Sequence, residues 1–331
     1  MSEIFPAISE WLLQVDEEVI EPNLPIIDPH HHLWPEGGAL PYGLDELKQD
    51  IKSGHNIVNT IFMECGAAYA KGGPEEFAPV AETKFVAEVS ANDPEHLIAA
   101  IVGHIDLRLS HRDEILDAHI EAGNGLFRGI RHALSRADFP EGLMIPGGAP
   151  QGLYKDADFV TGVRRLGERG LTYDSWHYHF QNPEFLELAR SAPDTVMILD
   201  HFGTPLLGHH FAGQEDSIFE QWKKDITAIA ACPNVYAKVG GLAMPDNGIG
   251  WMGSSRPPTS DEYVARLGKF YHHIIEAFGP SRCMFESNFP IDRFSVSYKI
   301  LWNALKKMSS KYSMSERADL FSETARRVYS L

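Results

Sequence analysis

Eight short apolar segments, rich in β-branched and aromatic residues, recur along the chain and are separated by longer segments of helical character. Strands that alternate with helices predict a parallel sheet whose strands are joined by crossovers. Eight such units in 331 residues fit one closed (β/α)8 TIM barrel better than two smaller domains. The expected strands are 25–32, 57–66, 97–107, 126–134, 171–180, 195–203, 234–242 and 282–290.

Residues 25–331 are expected to form this single α/β barrel domain, and residues 1–24 a helical extension in front of it. The extension would cover the barrel or contact a second subunit, so the sequence is compatible with a homodimer. Long loops rich in Gly, Pro and aromatic residues follow the first, fourth and seventh strands. Barrel enzymes carry their chemistry at the carboxyl ends of the strands, so these loops are expected to shape a pocket or close over it. The loops are 33–43, 135–152 and 243–260.

The chain is acidic, with a formal net charge of −17 at pH 7. This charge argues against nucleic acid and anionic membranes as partners, because both require clustered Lys and Arg. A small anionic substrate stays compatible, since a few local arginines can outweigh a distant surface excess. Cys65, Cys232 and Cys283 are far apart and indicate a reducing compartment. With an acidic N-terminus and no apolar run of about 20 residues, a cytoplasmic protein is expected.

The first expected strand ends in three consecutive histidines, within the stretch IIDPHHHLWPE at positions 26–36. Residues two apart on a strand share a face, so His30 and His32 point one way and His31 the other. On a barrel strand one of these faces is the interior. His30 and His32 are therefore expected at the catalytic end, as a pair able to hold a metal ion, whereas His31 is expected to pack under a helix.

Five motifs, DPHHHLW, GIRHAL, LDHFGTP, YAKVGGL and FESNFPID, follow one another at the ends of expected strands. In this order they resemble the amidohydrolase-2 family of metal-dependent hydrolase barrels. The likeness is greatest to its lactonase branch, which includes pyrone-dicarboxylate lactonase, fuconolactone hydrolase and sulfomuconolactone hydrolase. The resemblance spans Ile26 to Asp292 and is more specific for the family than for any substrate.

The resemblance implies one divalent metal ion, with zinc preferred because the site is rich in imidazoles. His30 and His32 match the family's strand-one histidines, and His201 matches a strand-six histidine that lies near the metal or polarises the substrate carbonyl. Arg131 is the arginine placed to bind a substrate carboxylate in a bidentate grip. Some lactonases of this branch are thought to act without metal, so metal-independent catalysis is an alternative.

One position departs from the family pattern. Asn288 stands where the family commonly has an aspartate, and an amide cannot act as a general base. Glu286, two residues earlier on the same face, could restore the lost carboxylate or could pair with an inward arginine. His179 and His177 share a parity at the end of the fifth strand. His179, the nearer to the loop, is the preferred extra catalytic or metal-ligating residue, and His177 would contact the substrate.

The function that the resemblance implies is hydrolysis of a lactone, an internal ester, on a small and carboxylated ring compound. Activated water would attack the carbonyl while Arg131 positions the carboxylate. Trp34, Tyr42 and Trp251 would pack against a planar substrate from the long loops. Two alternatives stay open: a decarboxylase or hydratase acting on an aromatic or ring-fission acid, and a barrel that binds a ligand without catalysis.

Overall fold

Eight parallel strands form one sheet in which each strand pairs with the next along the chain. The structure, a computed structural model, describes residues 4–331, so the first three residues of the expected 1–24 extension lie outside it. Each expected strand segment overlaps an observed strand, which confirms the predicted (β/α)8 barrel. The strands are β1 Pro25–His31, β2 Asn56–Met63, β3 Ile98–Gly103, β4 Phe127–Arg131, β5 Thr172–Ser175, β6 Met197–Leu199, β7 Val235–Val239 and β8 Cys283–Phe285.

Residues beyond β8 close the circle of strands. Phe289 forms a parallel bridge with His31, and its carbonyl accepts a hydrogen bond of 2.8 Å from the His32 amide. The Asn288 amide donates to the His30 carbonyl at 3.0 Å. These contacts fix the segment that contains Asn288 to the end of β1, where the three histidines lead into the following loop.

Helices cover the outside of the barrel, and several begin at capping side chains. Thr259 and Glu262 form a capping box at the start of α8, and Asp156 accepts two backbone N–H groups at the start of α5. The helices are α1 Ile4–Leu12, α2 Leu44–Ile51, α3 Val80–Asn92, α4 Arg112–Ala122, α5 Ala157–Glu168, α6 Asn182–Ser191, α7 Glu215–Ala230, α8 Ser260–Phe278, α9 Tyr298–Met308, α10 Met314–Ala318 and α11 Thr324–Tyr329.

Two apolar clusters result from the alternation of side chains along the strands. The larger one fills the space between strands and helices. The smaller one fills the barrel interior and includes Ile27, Met63 and Ile198. Tyr329, from the last helix, joins this inner cluster. The lower part of the barrel is therefore a packed core, and space for chemistry remains only at the carboxyl ends of the strands.

The N-terminal segment packs on the loops that follow β7 and β8. The Trp11 indole donates to the Ser254 carbonyl at 3.0 Å, and Phe5 meets Phe294 edge to face at 5.6 Å. The division of the chain at residue 24 stays a prediction. Across residues 4–331, each helix is too short or too polar to cross a membrane.

The strands end earlier than predicted. β5 stops at Ser175, β6 at Leu199 and β8 at Phe285. His177, His201 and Asn288 therefore lie on loops, where the two-residue alternation of a strand no longer decides which way a side chain points.

Candidate active site

A cavity of about 210 Å³ opens at the carboxyl ends of the strands. A larger groove of about 790 Å³ lies outside it, along the loop after β1 and α3, and shares the Trp34 side chain with the cavity. We place the candidate site in the smaller cavity because titratable side chains from several strands converge there. It is lined by His32, Trp34, Glu64, Cys65, Arg131, Ala133, Ile145, Trp176, His201, Met244, Asn288 and Ile291.

The three histidines at the end of β1 separate as the alternation predicts. His31 packs against Phe62 on the outer face, and neither of its ring nitrogens has a hydrogen-bond partner. His30 is fully buried beneath the cavity and His32 lines it. The Nδ1 of His32 lies 2.8 Å from the Met63 carbonyl, which can only accept, so Nδ1 carries the proton and Nε2 is left as the acceptor.

Glu286 lies between two imidazoles at the base of the cavity. Its Oε2 is 2.8 Å from Nδ1 of His30, and its Oε1 is 2.7 Å from Nδ1 of His201. One ligand atom from each of these three buried residues lies within 4.8 Å of the others. Burial raises the pKa of Glu286 to about 8 and lowers that of His201 to about 3. The group therefore has the donors and the spacing of a metal site.

The position of His201 depends on an unusual local backbone. β6 ends at Leu199, and His201 then adopts a left-handed conformation with φ 51°. Gly241, after β7, gives the ring its space, because a Cβ there would lie 2.3 Å from Nδ1 of His201. Gly240 is equally restricted, since its Cβ would lie 2.4 Å from Cγ of Glu286. The two glycines of YAKVGGL thus make room for the His201–Glu286 pair.

Asn288 lines the cavity from the loop after β8, also in a left-handed conformation, with φ 56°. Its Nδ2 donates to Oδ1 of Asp292 at 2.9 Å. With Nδ2 turned to Asp292, Oδ1 of Asn288 is the end available to the cavity. Asp292 is fully buried and holds the Asn288 amide in place, and burial raises the pKa of the Asp292 carboxyl.

Arg131 forms part of the cavity wall, but its donors are engaged. Nε donates to Oε1 of Glu64 at 2.8 Å, and one Nη donates to the Glu64 carbonyl. The other Nη lies 3.4 Å from Nε2 of His30 and 3.8 Å from Oδ2 of Asp200. Both edges of the guanidinium thus face protein groups, and the expected open grip for a substrate carboxylate is not present in this arrangement.

A buried ion-pair network continues below the cavity and was not anticipated from the sequence. Lys238 of β7 lies 2.8 Å from Asp174 and 3.4 Å from Asp200. The Tyr329 hydroxyl donates to Asp174 at 2.6 Å. Asp174 is therefore fully engaged beneath the site. A lysine in the middle of the apolar strand VYAKV was the one signal that could have indicated this network.

His177 and His179 do not reach the cavity. His177 is fully buried, with its ring nitrogens 3.0 Å from the Ser175 hydroxyl and 3.0 Å from Oδ1 of Asn182. Nδ1 of His179 accepts a hydrogen bond of 3.2 Å from the Leu206 amide. The predicted continuation of the fifth strand to Phe180 is wrong, and Trp176 lines the cavity instead.

The three loop aromatics also separate. Trp34 lines the cavity and meets the His32 ring edge to face at 6.1 Å. Tyr42 is buried away from the cavity and donates its hydroxyl to Asp50 at 2.8 Å. Trp251 stacks on Tyr263 at a ring distance of 5.7 Å, outside the cavity lining. Tyr42 and Trp251 pack their own loops, so their expected contact with substrate has no support in this placement.

The loop after β4 forms the roof of the cavity through Ile145. Asp246, on the loop after β7, accepts hydrogen bonds from the amides of Met144 and Ile145 at 2.5 and 2.9 Å. The Tyr178 hydroxyl donates to the Ile145 carbonyl at 3.1 Å. Two of the three long loops are thus joined over the site, as expected for loops that shape a pocket.

Comparison with known proteins agrees with this geometry. The model of the amidohydrolase family Amidohydro_2 matches residues 27–331. The chain belongs to the amidohydrolase family. Uncharacterized protein y4mH of Sinorhizobium fredii is 34% identical to this amidohydrolase over 320 residues, which cover 93% of this chain and 99% of that protein. The resemblance read from the five motifs is confirmed.

Two further similarities concern proteins of Burkholderia multivorans. An L-fucono-1,5-lactonase is 27% identical over 314 residues, covering 92% of this chain and 96% of that protein. The crystal structure of an amidohydrolase with bound Zn has a TM-score of 0.71 at 26% identity, covering 92% of this chain and 99% of that one. The protein is an enzyme of the amidohydrolase family, and the alternative of a barrel without catalysis is set aside.

Proposed function

We propose that this amidohydrolase hydrolyses the ester bond of a lactone. The observation that carries the proposal is the buried group of His30, His201 and Glu286 at the base of a cavity at the carboxyl ends of the strands. Imidazoles and a carboxylate in this arrangement suit attack of water on a carbonyl carbon. The similarity to an L-fucono-1,5-lactonase supports a lactone as the ester.

We further propose that the site holds one divalent cation, with zinc preferred. Nδ1 of His30 and Oε2 of Glu286 are buried, lie 2.8 Å apart and have no hydrogen-bond partner in suitable geometry. Two buried ligand atoms without hydrogen bonds are better explained as ligands of a cation than as a pair in direct contact with each other. These two residues would hold the ion, with His201 beside them, and the Zn-bound relative supports the metal. When bound, the ion would supply Lewis acidity toward the lactone carbonyl.

His201 is then placed to move the protons. Glu286 must be ionised to act as a ligand, so its Oε1 accepts the Nδ1 proton of His201 at 2.7 Å. Nε2 of His201 is left as a base for the attacking water, and the ionised Glu286 raises the low pKa of the ring. The protonated imidazole of His201 can then deliver this proton to the ester oxygen of the lactone as the bond between that oxygen and the carbonyl carbon breaks. Oδ1 of Asn288 is an acceptor in the same cavity, suited to orienting water or a hydroxyl.

The test measures acid release from each lactone of a panel in a pH-stat. Three enzyme samples are compared: as purified, after chelation, and after zinc is restored. The expected result is acid release that falls at least tenfold on chelation and returns with zinc. Release of carbon dioxide from an aromatic acid, without acid release from any lactone, would overturn the proposal in favour of a decarboxylase. Full activity at near-zero zinc would remove the metal and leave lactone hydrolysis in place.

A further inference from the structure

Arg131 is the only Lys or Arg among the described residues that line the cavity. A lactone with a carboxylate substituent would need an open cation there, because burying an unpaired charge is costly. The selectivity of the cavity for charge therefore depends on what Arg131 already binds. This question rests on the proposed function but can be answered apart from it.

Glu64 occupies one whole edge of the Arg131 guanidinium. Its carboxylate accepts from Nε at 2.8 Å, and its carbonyl accepts from one Nη. The residue is only 7% exposed, so solvent screens the pair little. The other edge faces Nε2 of His30 and the carboxylate of Asp200. A substrate carboxylate entering the cavity would meet a guanidinium that is already neutralised.

The surroundings provide no spare positive charge. A divalent cation at the His30–Glu286 site would balance the surplus of carboxylates over cationic side chains in the barrel interior without reversing it. The carboxylates around the two interior cations, Arg131 and Lys238, are Glu64, Asp174, Asp200 and Glu286. Glu82, also buried, adds another carboxylate behind Glu64 and accepts from the Ala67 amide at 2.7 Å.

The rest of the cavity suits an uncharged ring that carries hydroxyl groups. Its walls are largely apolar and include Trp34, Trp176 and Met244. The free polar atoms of its side chains include three acceptors: Nε2 of His32, Oδ1 of Asn288, and Oε2 of Glu64, which has a single long contact of 3.4 Å from the Tyr69 hydroxyl. The Trp176 indole N–H is a donor without a partner, but it is buried. Hydroxyl groups can donate to these oxygens, whereas a carboxylate would be repelled by Glu64.

We infer that Glu64 determines charge selectivity: by pairing with Arg131 it makes the cavity accept uncharged hydroxylated lactones and reject carboxylated ones. This replaces the carboxylated, anionic substrate expected from Arg131 alone. Glu64 acts through Arg131 and through its own negative charge, and no step of hydrolysis is assigned to it.

The experiment compares two lactones that differ only at one terminal carbon, which is CH2OH in one and carboxylate in the other. The wild-type enzyme, loaded with zinc, is expected to have a kcat/KM at least tenfold higher for the uncharged lactone. Glu64→Gln keeps an acceptor for Arg131 but removes the charge. It is expected to raise the ratio of kcat/KM for carboxylated over uncharged lactone at least tenfold.

Glu36→Gln is the matched control, because Glu36 is an exposed acid on the loop after β1 and does not line the cavity. It removes the same charge and is expected to leave the ratio unchanged. A wild-type preference for the carboxylated lactone, or equal shifts in both variants, would overturn the inference. If Glu64→Gln fails to fold, the wild-type ratio alone decides.

Failure of the proposed function gives a different result. If neither lactone is hydrolysed, binding of each is measured by the tryptophan fluorescence to which Trp34 and Trp176 contribute. Tighter binding of the uncharged lactone, by at least tenfold, would support the charge selectivity although lactone hydrolysis is lost. Tighter binding of the carboxylated lactone would remove both.

Discussion

His201 illustrates how single residues fix the geometry of the site. Its left-handed backbone brings the ring against Gly241, where a Cβ would lie 2.3 Å from Nδ1. The ring then meets Glu286 at 2.7 Å. A histidine could be assigned to the site from the LDHFGTP motif, but the supporting glycine could not, since the contact joins two loops that are 40 positions apart in sequence.

Gly241→Ala is expected to reduce kcat/KM roughly 100-fold, because displacing a catalytic group by about 1 Å costs a factor of that order. The control is Gly253→Ala in the same loop. Both glycines have a positive φ, 77° and 81°, so both variants carry similar backbone strain, but a Cβ at Gly253 meets nothing within 4 Å. Steady-state kinetics measure kcat/KM of the two variants, and thermal melting compares their stability. Equal activity losses would show that strain, and not His201, is responsible.

Asn288 replaces the aspartate that is common in the family, and its contact with Asp292 explains why an asparagine suits this position. Its amide donates to Asp292 at 2.9 Å, in a position where two carboxylates could not both be ionised. The sequence could show the substitution but not this partner, because Asp292 reaches Asn288 only through the turn after β8. The amide and Asp292 are best regarded as one unit.

Asn288→Asp is therefore expected to destabilise the protein, and by more at pH 8 than at pH 5. Burial already raises the pKa of Asp292, and a second carboxylate would raise it further. A raised folded-state pKa means that the folded protein binds the extra proton, so stability is retained at low pH and lost as pH rises. Thermal melting at both pH values tests this. Asn288→Ala also removes the hydrogen bond that lowers the pKa of Asp292, but it adds no charge, so its loss of stability should grow with pH less than that of Asn288→Asp. An equal growth with pH in both variants would contradict the argument.

At the scale of elements, the order of strands and helices followed from the sequence because each buried strand is a short apolar run with its own turn signals. The ends of the strands did not follow. Thr172–Ser175 is only four residues long, and the apolar and aromatic residues after it form loop packing that resembles strand in composition. His177 and His179 were assigned to the site on a strand alternation that had already ended.

Alternation predicts the direction of a side chain only within a strand, and this explains why the prediction for the first strand was correct. Pro25–His31 continues almost to its predicted end, and the alternation from His30 to His32 correctly separated His30 and His32 from His31 although a register shift lies between Asp28 and His31. Glu286 and Arg131 could be named as inward side chains, but their partners could not. Pairing of Arg131 with Glu64 depends on the position of β4 relative to β2, two strands away around the barrel.

At the scale of the whole molecule, the barrel encloses more buried carboxylates than cations, and this links its charge to metal binding. Burial raises the pKa of Glu286 to about 8, so the metal-free protein keeps a proton on this carboxyl at neutral pH. A carboxylate must lose its proton to act as a ligand. Zinc and a proton therefore compete for the same group.

The affinity for zinc is accordingly expected to rise with pH up to about 8 and to level off above it, as the carboxyl of Glu286 reaches its pKa. Below that pH each zinc bound should release a proton, because Glu286 ionises on binding. Calorimetric titration with zinc in two buffers of different ionisation enthalpy, at pH 6.5 and pH 9, measures both quantities. If zinc binds with the same affinity at pH 6.5 as at pH 9, and without proton release at pH 6.5, Glu286 is not a ligand. The group that carries the proton would then lie outside the metal site.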